Sequence, residues 1–316
     1  MRSPLLLEID RQEPAALRAD LLRELAARPA VVSSKYFYDA LGSSLFAAIT
    51  RLPEYYPTRT EAAIFVRHVD EIAAQLPAGL TLVDIGAGNC EKAASLLRPF
   101  RIGRYVAVDI SVDFLGDSLS RLQLQHPELP MLAVGTDFSR RLRLPAAIGD
   151  GPRLLFYPGS SIGNFTPAQA LDFLRQLRQA AQAGWLLIGV DLLKPAAILE
   201  AAYDDPLGVT AAFNRNLLLH LNQLIGSDFT LADWRHVAFF DAAQSRIEMH
   251  LEARRSLAVH WPGGERAFAA GERIHTENSY KWRSADFSAL LGDAGFSGIR
   301  HWSDERGWFA LFLAQA

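Results

Sequence analysis

The residues best suited to chemistry stand in a glycine-rich turn about a quarter of the way along the chain. The apolar run Leu80–Ile85 is followed by Gly86 and Gly88, and a second apolar run ends at Asp109. Glycines at a strand-to-helix turn let a ligand approach the backbone closely. Asp109 lies 23 positions after Gly86, a spacing that suits a carboxylate accepting the two hydroxyls of a ribose. The pattern predicts a nucleoside-type site at the carboxyl ends of these strands.

The same turn excludes other nucleotide sites. A dinucleotide fingerprint needs a third glycine where this chain has Glu91, and no glycine-lysine pair follows to make a phosphate loop. An acidic strand end at Asp84, with Asp109 ending the next strand, is typical of S-adenosylmethionine-dependent methyltransferases. Asp137 and Phe138 follow the third strand, where this fold usually meets adenine through a polar contact and an apolar wall. The structural alternative is a turn made for packing, with Phe138 in the core.

Alternating strands and helices must position these residues. Short apolar runs predict five strands, at Leu80–Ile85, Tyr105–Asp109, Met131–Val134, Leu154–Tyr157 and Trp185–Val190. Helical periodicity predicts helices at Pro14–Arg28, from Thr58 or Thr60, at Glu91–Leu97, at Val112–Gln125 and after Thr166-Pro167. Strands separated by helices indicate an α/β, Rossmann-like, doubly wound parallel sheet.

The alternation stops near residue 195 and returns near the C-terminus. Residues 196–245 look helical, and Arg246–Arg254 alternates like a half-buried strand. A helix at Asp286–Ala294 and strands around 299–302 and 308–313 then resume the first pattern. We therefore expect two discontinuous lobes: a cofactor-binding lobe from 60–195 and 286–316, and an α+β substrate lobe from 1–59 and 196–285.

Composition narrows the class of protein. The chain has 316 residues, 50% hydrophobic and 21% charged, with a net charge of −3, so no basic field is available for nucleic acid or an anionic membrane. Cys90 is the single cysteine, and the eight histidines include no pair three to five positions apart, so neither a disulfide nor a zinc site is predicted. No apolar run is long enough for a signal peptide or a membrane span. We expect a cytoplasmic, monomeric protein that binds a small molecule.

Five segments carry a family resemblance. They are TRLPEYYPTRTEA (50–62), PGSSIGNFTP (158–167), YDDPLGVTAAFNRN (203–216), SRIEMHLEAR (245–254) and HTENSYKW (275–282). Together they strongly resemble the L-histidine Nα-methyltransferase family of ergothioneine biosynthesis, from about residue 33 to the C-terminus. The resemblance implies a methyltransferase sheet with a separate substrate lobe, S-adenosylmethionine as cofactor, and L-histidine as substrate. It also implies three methyl transfers to the betaine hercynine, the first step of ergothioneine biosynthesis.

The resemblance also implies site residues, one position at a time. The family's cofactor positions fall on Gly86, Lys92, Asp109, Asp137 and Phe138, to which the turn itself adds Gly88. Its histidine positions fall on Tyr38, Tyr55, Gly159, Asn164, Tyr203, Glu277 and Ser279. The loop DIGAGNC departs mildly from the expected ELGSGTS, a change that leaves the backbone role intact, and Cys90 is assigned no chemistry.

The chemistry of these side chains agrees with an amino acid substrate. Tyrosine phenols and the Asn164 amide can hold a carboxylate and orient an amine without adding charge, and we name Tyr38 and Asn164 as catalytic. Glu277 can accept a hydrogen bond from an imidazole N–H, and Ser279 can serve the other ring nitrogen. Tyr38, Tyr55 and Phe213 are candidates for an aromatic wall around a cationic product. Without the resemblance, these residues also have purely structural explanations. Tyr55 could belong to a packed tyrosine pair at a hinge between the lobes, Asn164 could begin a helix, and Tyr203 could belong to a solvated helix cap.

Three alternatives stay open at the level of sequence. A methyltransferase of the same fold could act on another amino acid or amine, against which Glu277 and Ser279 argue. A nucleic-acid methyltransferase is disfavoured by the net charge of −3 and by the lack of a basic stripe. A regulator that binds the cofactor without catalysis also remains, since a sequence does not show turnover.

Overall fold

The computed structural model describes residues 3–9, 13–110, 112–139 and 141–316, and for residues 112–114 the backbone alone. Within these residues the chain forms two compact units. The first unit comprises Met1–Arg11, Thr60–Leu192 and Trp282–Ala316, and the second comprises Gln12–Arg59 and Leu193–Lys281. Among the described helices, none combines the length and the apolar character needed to cross a membrane.

The strands are β1 Leu5–Glu8, β2 Ala30–Val31, β3 Thr81–Ile85, β4 Arg104–Asp109, β5 Met131–Gly135, β6 Arg153–Tyr157, β7 Trp185–Asp191, β8 Trp234–Asp241, β9 Arg246–Ala253, β10 Leu257–Trp261, β11 Gly264–Phe268, β12 Arg273–Tyr280, β13 Ser297–Ser303 and β14 Phe309–Gln315. The α-helices are α1 Pro14–Ala26, α2 Ala40–Ile49, α3 Tyr56–Ala73, α4 Glu91–Leu96, α5 Val112–Gln125, α6 Pro167–Ala181, α7 Ala196–Tyr203, α8 Val209–Ile225 and α9 Ser284–Asp293.

An eight-stranded sheet in the order β1-β5-β4-β3-β6-β7-β14-β13 forms the first unit. The strands from β1 to β7 in this order are parallel, whereas β14 runs antiparallel to β7 and to β13. The predicted α/β, doubly wound class is confirmed. The sheet is mixed rather than wholly parallel, because the β13–β14 hairpin completes one edge.

Both faces of this sheet are covered. Along β3, Val83 and Ile85 belong to the apolar cluster that includes residues of α6 and α9. Leu82, the residue before Val83, belongs to the cluster on the other face with residues of α3, α4 and α5. Successive side chains of a strand point to opposite faces, so a strand covered on both sides is apolar over most of its length. Polar groups are thereby left to the strand ends, where the candidate site lies.

The N-terminal segment departs from the predicted lobes. Leu5–Glu8 forms the edge strand β1, whose Leu6 pairs with Ala133 of β5 in parallel register, so this segment belongs to the sheet and not to the substrate lobe. The strand has four residues and is largely exposed. Its pairing partner lies more than 120 residues away, and a local pattern does not show such a partner.

A four-stranded sheet in the order β2-β12-β9-β8 organises the second unit, with residues of α1, α2 and α8 in its core. The predicted helix over 196–245 is wrong beyond Ile225, because Trp234–Asp241 is the strand β8, antiparallel to β9. The hairpin of β10 and β11 was not predicted. For β8, pairing with β9 determines the strand conformation, and the buried ring of Trp234 anchors the first residue of the strand.

Candidate active site

The glycine turn after β3 has the backbone geometry that its sequence predicts. Gly86 and Gly88 adopt positive φ angles of 74° and 51°, in the left-handed region that favours glycine. A Cβ atom on Gly88 would meet no atom within 4 Å, whereas one on Gly86 would lie 3.6 Å from Cζ of Phe138. The backbone at Gly88 therefore borders open space, which is the room that a ligand needs to approach the main chain, and an aromatic ring lies beside Gly86.

Asp109, at the end of β4, is bonded to this turn. The Gly88 N–H donates to Oδ2 of Asp109 at 3.0 Å, and the Ile110 N–H donates to Oδ1 at 2.7 Å. Hydrogen bonds to a carboxylate are stronger than neutral ones. They hold the acidic strand end and the glycine turn together, the arrangement expected of a ribose site.

Two other polar side chains near the turn, Asp84 and Cys90, are buried in the protein. Asp84 is 2% exposed and its Oδ2 accepts a hydrogen bond of 2.8 Å from the Tyr105 hydroxyl, while burial raises the pKa of Asp84 to about 7. Cys90 precedes α4 with a φ of 63°, and burial raises the pKa of its thiol to about 12. Burial thus favours the neutral thiol.

Asp137 and Phe138 follow β5 and are both half-buried. Oδ1 of Asp137 accepts hydrogen bonds from the Ser139 N–H at 3.2 Å and from the Ser139 hydroxyl at 2.5 Å. The Phe138 ring packs edge-on against Tyr157, with centroids 6.2 Å apart. The structure thus places the predicted apolar wall next to Gly86 and fixes the neighbouring carboxylate by a local turn.

Lys92 and Gly159 come together through a residue that the sequence analysis missed. Oε2 of Glu61 pairs with Nζ of Lys92, and Oε1 accepts a hydrogen bond of 2.8 Å from the Gly159 N–H. Glu61 is 1% exposed and lies in α3. Its only sequence signal was its place in the segment 50–62, which carries the family resemblance.

Asn164 ends a short 3₁₀ helix, Ser161–Asn164, that follows Gly159. Gly159 and Ser160 both have positive φ, 74° and 59°, so the chain turns sharply after β6. The Ser160 hydroxyl accepts a hydrogen bond of 2.8 Å from the Asp191 N–H. The loop that carries two predicted histidine-binding residues is thereby tied to the end of β7.

In the second unit, Tyr203 and Ser279 are in direct contact. The Tyr203 hydroxyl lies 2.7 Å from Oγ of Ser279, and Nζ of Lys281 donates to both, at 3.1 Å and 2.7 Å respectively. Lys281 is 3% exposed and its Nζ also lies 4.8 Å from the centre of the Tyr203 ring. Lys281 was not predicted, although it belongs to the recognised segment 275–282.

Glu277 lies on β12, two residues before Ser279. The pairing register of β12 with β9 shifts between His275 and Glu277, a bulge of the kind that re-aims side chains next to functional sites. Burial raises the pKa of Glu277 to about 7, and the positive charge of Lys281 opposes that rise. The side chain is half-buried and can change charge near neutral pH.

Aromatic rings connect the remaining predicted residues of the second unit. Tyr38 packs edge-on against Phe213 and Phe46, with centroids 5.8 and 5.6 Å apart. Phe46 in turn contacts Tyr55 at 6.1 Å, and Tyr55 contacts Tyr203 at 6.4 Å. Phe46 was not predicted. The row contains each of the three residues proposed as an aromatic wall.

His236 holds the main chain of Tyr203. Its Nε2 lies 2.8 Å from the Tyr203 carbonyl oxygen, and its Nδ1 lies 2.8 Å from Nδ2 of Asn214. Burial lowers the pKa of His236, so the neutral form with a proton on Nε2 satisfies both contacts: Nε2–H donates to the carbonyl and the amide donates to Nδ1.

Each unit holds part of the predicted set. The cofactor candidates, together with Gly159 and Asn164, lie in the first unit, whereas Tyr38, Tyr55, Tyr203, Glu277 and Ser279 lie in the second. Within the described residues, no group of three or more His, Cys, Asp or Glu side chains is arranged to hold a metal ion. A doubly wound sheet that carries an acidic strand end, an open glycine turn and a neighbouring aromatic ring at the carboxyl ends of its strands has the architecture of a Rossmann-like methyltransferase.

Comparisons with known proteins identify the family. A model of histidine-specific, S-adenosylmethionine-dependent methyltransferases matches residues 17–316. The chain is 42% identical to the histidine N-alpha-methyltransferase of Mycolicibacterium smegmatis and 41% identical to that of Mycobacterium tuberculosis, each over 95% of this chain and 94% of the relative. It is 30% identical to ergothioneine biosynthesis protein 1 of Neurospora crassa, over 87% of this chain and 32% of that protein.

The chain therefore belongs to the family of histidine-specific, S-adenosylmethionine-dependent methyltransferases. The predicted enzyme class and cofactor are confirmed. The roles of individual residues stay predictions, which the contacts described above make specific enough to test.

Proposed function

We propose that the protein transfers methyl groups from S-adenosylmethionine to the α-amino group of L-histidine, three in succession, as the first step of ergothioneine biosynthesis. Glu277 carries the substrate assignment: it is a half-buried carboxylate next to the Tyr203–Ser279–Lys281 contacts. A partly buried carboxylate needs a hydrogen-bond donor, and an imidazole N–H supplies one. The names of the bacterial and fungal relatives support histidine and ergothioneine.

The residues around the glycine turn fit S-adenosylmethionine. Open space at Gly88 admits the ligand to the backbone. A carboxylate has about four acceptor positions, so Asp109 can bond the turn and also accept ribose hydroxyls. Phe138 provides an apolar face and Asp137 a polar contact for adenine, and the ammonium of Lys92 complements the cofactor's carboxylate. The bound cofactor supplies a methyl group on a sulfonium, which is already activated for displacement.

The protein's own task is to present a neutral amine. The amine lone pair must stand in line with the bond to the methyl group at a distance of ~3–3.5 Å. Because the substrate arrives as an ammonium, one proton must leave first, to the Tyr38 phenol or to a water. The Asn164 amide and the Tyr203 phenol can hold the carboxylate and the amine. The rings of Tyr38, Tyr55 and Phe213 suit the permanent cation that forms as methyl groups accumulate.

Mass spectrometry tests the proposed reaction. Purified protein incubated with S-adenosylmethionine and L-histidine is expected to yield products one, two and three methyl groups heavier than histidine. Nα-acetyl-histidine should remain unmodified, since its amine is blocked. Methylation of other amino acids or of nucleic acid with histidine untouched contradicts the proposal. A final product with only one or two methyl groups would contradict the proposed formation of the trimethylated betaine.

Lys281 provides a second test within the substrate lobe. Changing Lys281 to methionine keeps the side-chain length but removes the donor to Ser279 and Tyr203 and the charge facing Glu277. We expect the KM for histidine to rise by about 3- to 10-fold, less than the loss of a direct charged hydrogen bond of about 1.5–3 kcal/mol, because Lys281 acts on the substrate through Ser279 and Tyr203. The dissociation constant for S-adenosylmethionine should change by less than 2-fold, measured by calorimetry. A variant with normal histidine kinetics shows that Lys281 does not support the substrate residues.

Two further predictions concern the oligomeric state and the cellular location of the protein. We propose that the enzyme acts as a monomer in the cytoplasm on a freely diffusing small molecule. Light scattering of the purified protein at working concentration tests the first point, and a mass of twice 34.9 kDa would contradict it.

A further inference from the structure

The Glu61 carboxylate is among the most deeply buried charged groups described in the first unit, with 1% of its surface exposed. Burying a carboxylate is costly unless it is paired and hydrogen-bonded. Both of its oxygens have partners: the Lys92 ammonium contacts Oε2, and the Gly159 N–H donates to Oε1 at 2.8 Å. The two partners belong to different segments, α4 after the glycine turn and the loop after β6.

Gly189 gives an independent sign that the fold accommodates this carboxylate. It lies inside β7, where glycine contributes no packing and weakens a strand. A Cβ atom at this position would stand 2.2 Å from Oε1 of Glu61 and 3.0 Å from Cε1 of Phe309. The position is therefore open only to glycine as long as the Glu61 carboxylate occupies its observed place.

We infer that Glu61 is a positioning residue that holds the Lys92 ammonium and the Gly159 amide in fixed places, one with each carboxylate oxygen. This inference rests on the proposed roles of Lys92 toward the cofactor and of Gly159 toward histidine. A free lysine side chain has large rotamer entropy, which is lost when it binds a ligand. Because the ion pair with Glu61 already restricts the Lys92 side chain, less rotamer entropy is lost when the lysine binds a ligand. The same carboxylate fixes the start of the loop that carries Asn164.

Glu61→Gln separates the two contacts. The glutamine carbonyl can still accept from the Gly159 N–H, but its amide cannot pair with an ammonium. We expect the dissociation constant for S-adenosylmethionine to rise by about 3- to 10-fold, with the KM for histidine changed less than 2-fold. Glu61→Leu removes both contacts, so the KM for histidine should rise as well. Glu128→Gln, at an exposed position of the same unit, is the matched control and should leave both constants unchanged.

A double-mutant cycle with Lys92→Met identifies the route of the effect. If Glu61 acts through Lys92, the double variant Glu61→Gln/Lys92→Met should bind the cofactor no more weakly than Lys92→Met alone. Additive losses show instead that Glu61 affects the site by another route and overturn the inference. Unchanged or tighter cofactor binding in Glu61→Gln also overturns it, since freeing the lysine would then help rather than hinder.

The cycle distinguishes this inference from the roles on which it rests. Normal cofactor affinity in Lys92→Met refutes the proposed role of Lys92 itself. If Lys92→Met binds the cofactor more weakly than wild type but Glu61→Gln binds it normally, only the inference that Glu61 positions Lys92 is refuted. If Glu61→Gln does not fold, Glu61→Asp replaces it: a side chain shorter by one methylene keeps the charge but cannot reach both partners. Glu61→Asp should still weaken cofactor binding or raise the KM for histidine, and wild-type values for both contradict the positioning role.

Discussion

Replacing Asp109 by alanine is expected to weaken the binding of S-adenosylmethionine by about 10- to 150-fold. Hydrogen bonds to a charged group contribute about 1.5–3 kcal/mol, and each 1.4 kcal/mol is a factor of ten. The carboxylate also receives the Gly88 and Ile110 N–H groups, so its loss leaves the glycine turn without one of its anchors. The effect should fall on cofactor affinity, whereas histidine kinetics at saturating cofactor should change much less.

Calorimetry with S-adenosylmethionine measures this effect. Asp109→Asn keeps one acceptor oxygen and should lie between wild type and alanine, and Asp117→Ala, exposed on α5, is the matched control. The melting temperature of each variant shows whether the turn survives. Wild-type affinity in a folded Asp109→Ala protein would remove Asp109 from the cofactor site and with it the interpretation of the G-x-G turn.

Replacing Glu277 by alanine is expected to lower kcat/KM for histidine by at least 10-fold and up to about 100-fold. The reason is the loss of one charged hydrogen bond to the imidazole, worth about 1.5–3 kcal/mol. A site built to pair with a polar group discriminates strongly against ligands that lack it, so the variant should lose preference against amino acids with apolar side chains. Cofactor affinity should stay within 2-fold of wild type.

The pH dependence offers a second signature of Glu277. Burial raises the pKa of this carboxyl from its ordinary 4.5 to about 7, so the charged form that accepts an imidazole N–H appears only as the pH rises through 7. Glu277→Gln should abolish that step in kcat/KM, while the steps due to the substrate's own amine and imidazole remain in both proteins. The difference between the two profiles therefore isolates the contribution of Glu277.

The same pKa has a consequence for stability. A carboxyl whose pKa is higher in the folded than in the unfolded state binds more protons when folded, so its contribution to stability falls as the pH rises. For Glu277, this loss of stability is expected between about pH 4.5 and about pH 7. Histidine-free Glu277→Gln protein should lose less stability than wild type across this window in chemical denaturation. Glu128→Gln, at an exposed position, is the control. Parallel curves for Glu277→Gln and wild type, with unchanged histidine kinetics, would show that Glu277 neither titrates here nor reads the imidazole.

The sequence was sufficient for the features that depend on local pattern. Apolar runs that end at glycine or aspartate predicted the carboxyl ends of β3 and β4, and the positive φ of Gly86 and Gly88 is what a turn of this composition requires. The alternation of strands and helices predicted the doubly wound class. The family resemblance supplied the positions in the second unit, which no periodicity could have indicated, because single tyrosines and a glutamate have common structural roles.

Tertiary structure alone determined the features that join distant segments. The edge strand Leu5–Glu8 and the strand Trp234–Asp241 take their conformation from partners elsewhere in the chain, and a local pattern reports a strand reliably only where its own alternation is long. Glu61 lies on a helix, His236 lies on a strand and Lys281 directly follows one, and none of the three can be told from a solvated polar residue in the sequence. Their roles follow from burial and from partners 31, 78 and 33 residues away, contacts that exist only once the chain has folded and that burial makes obligatory.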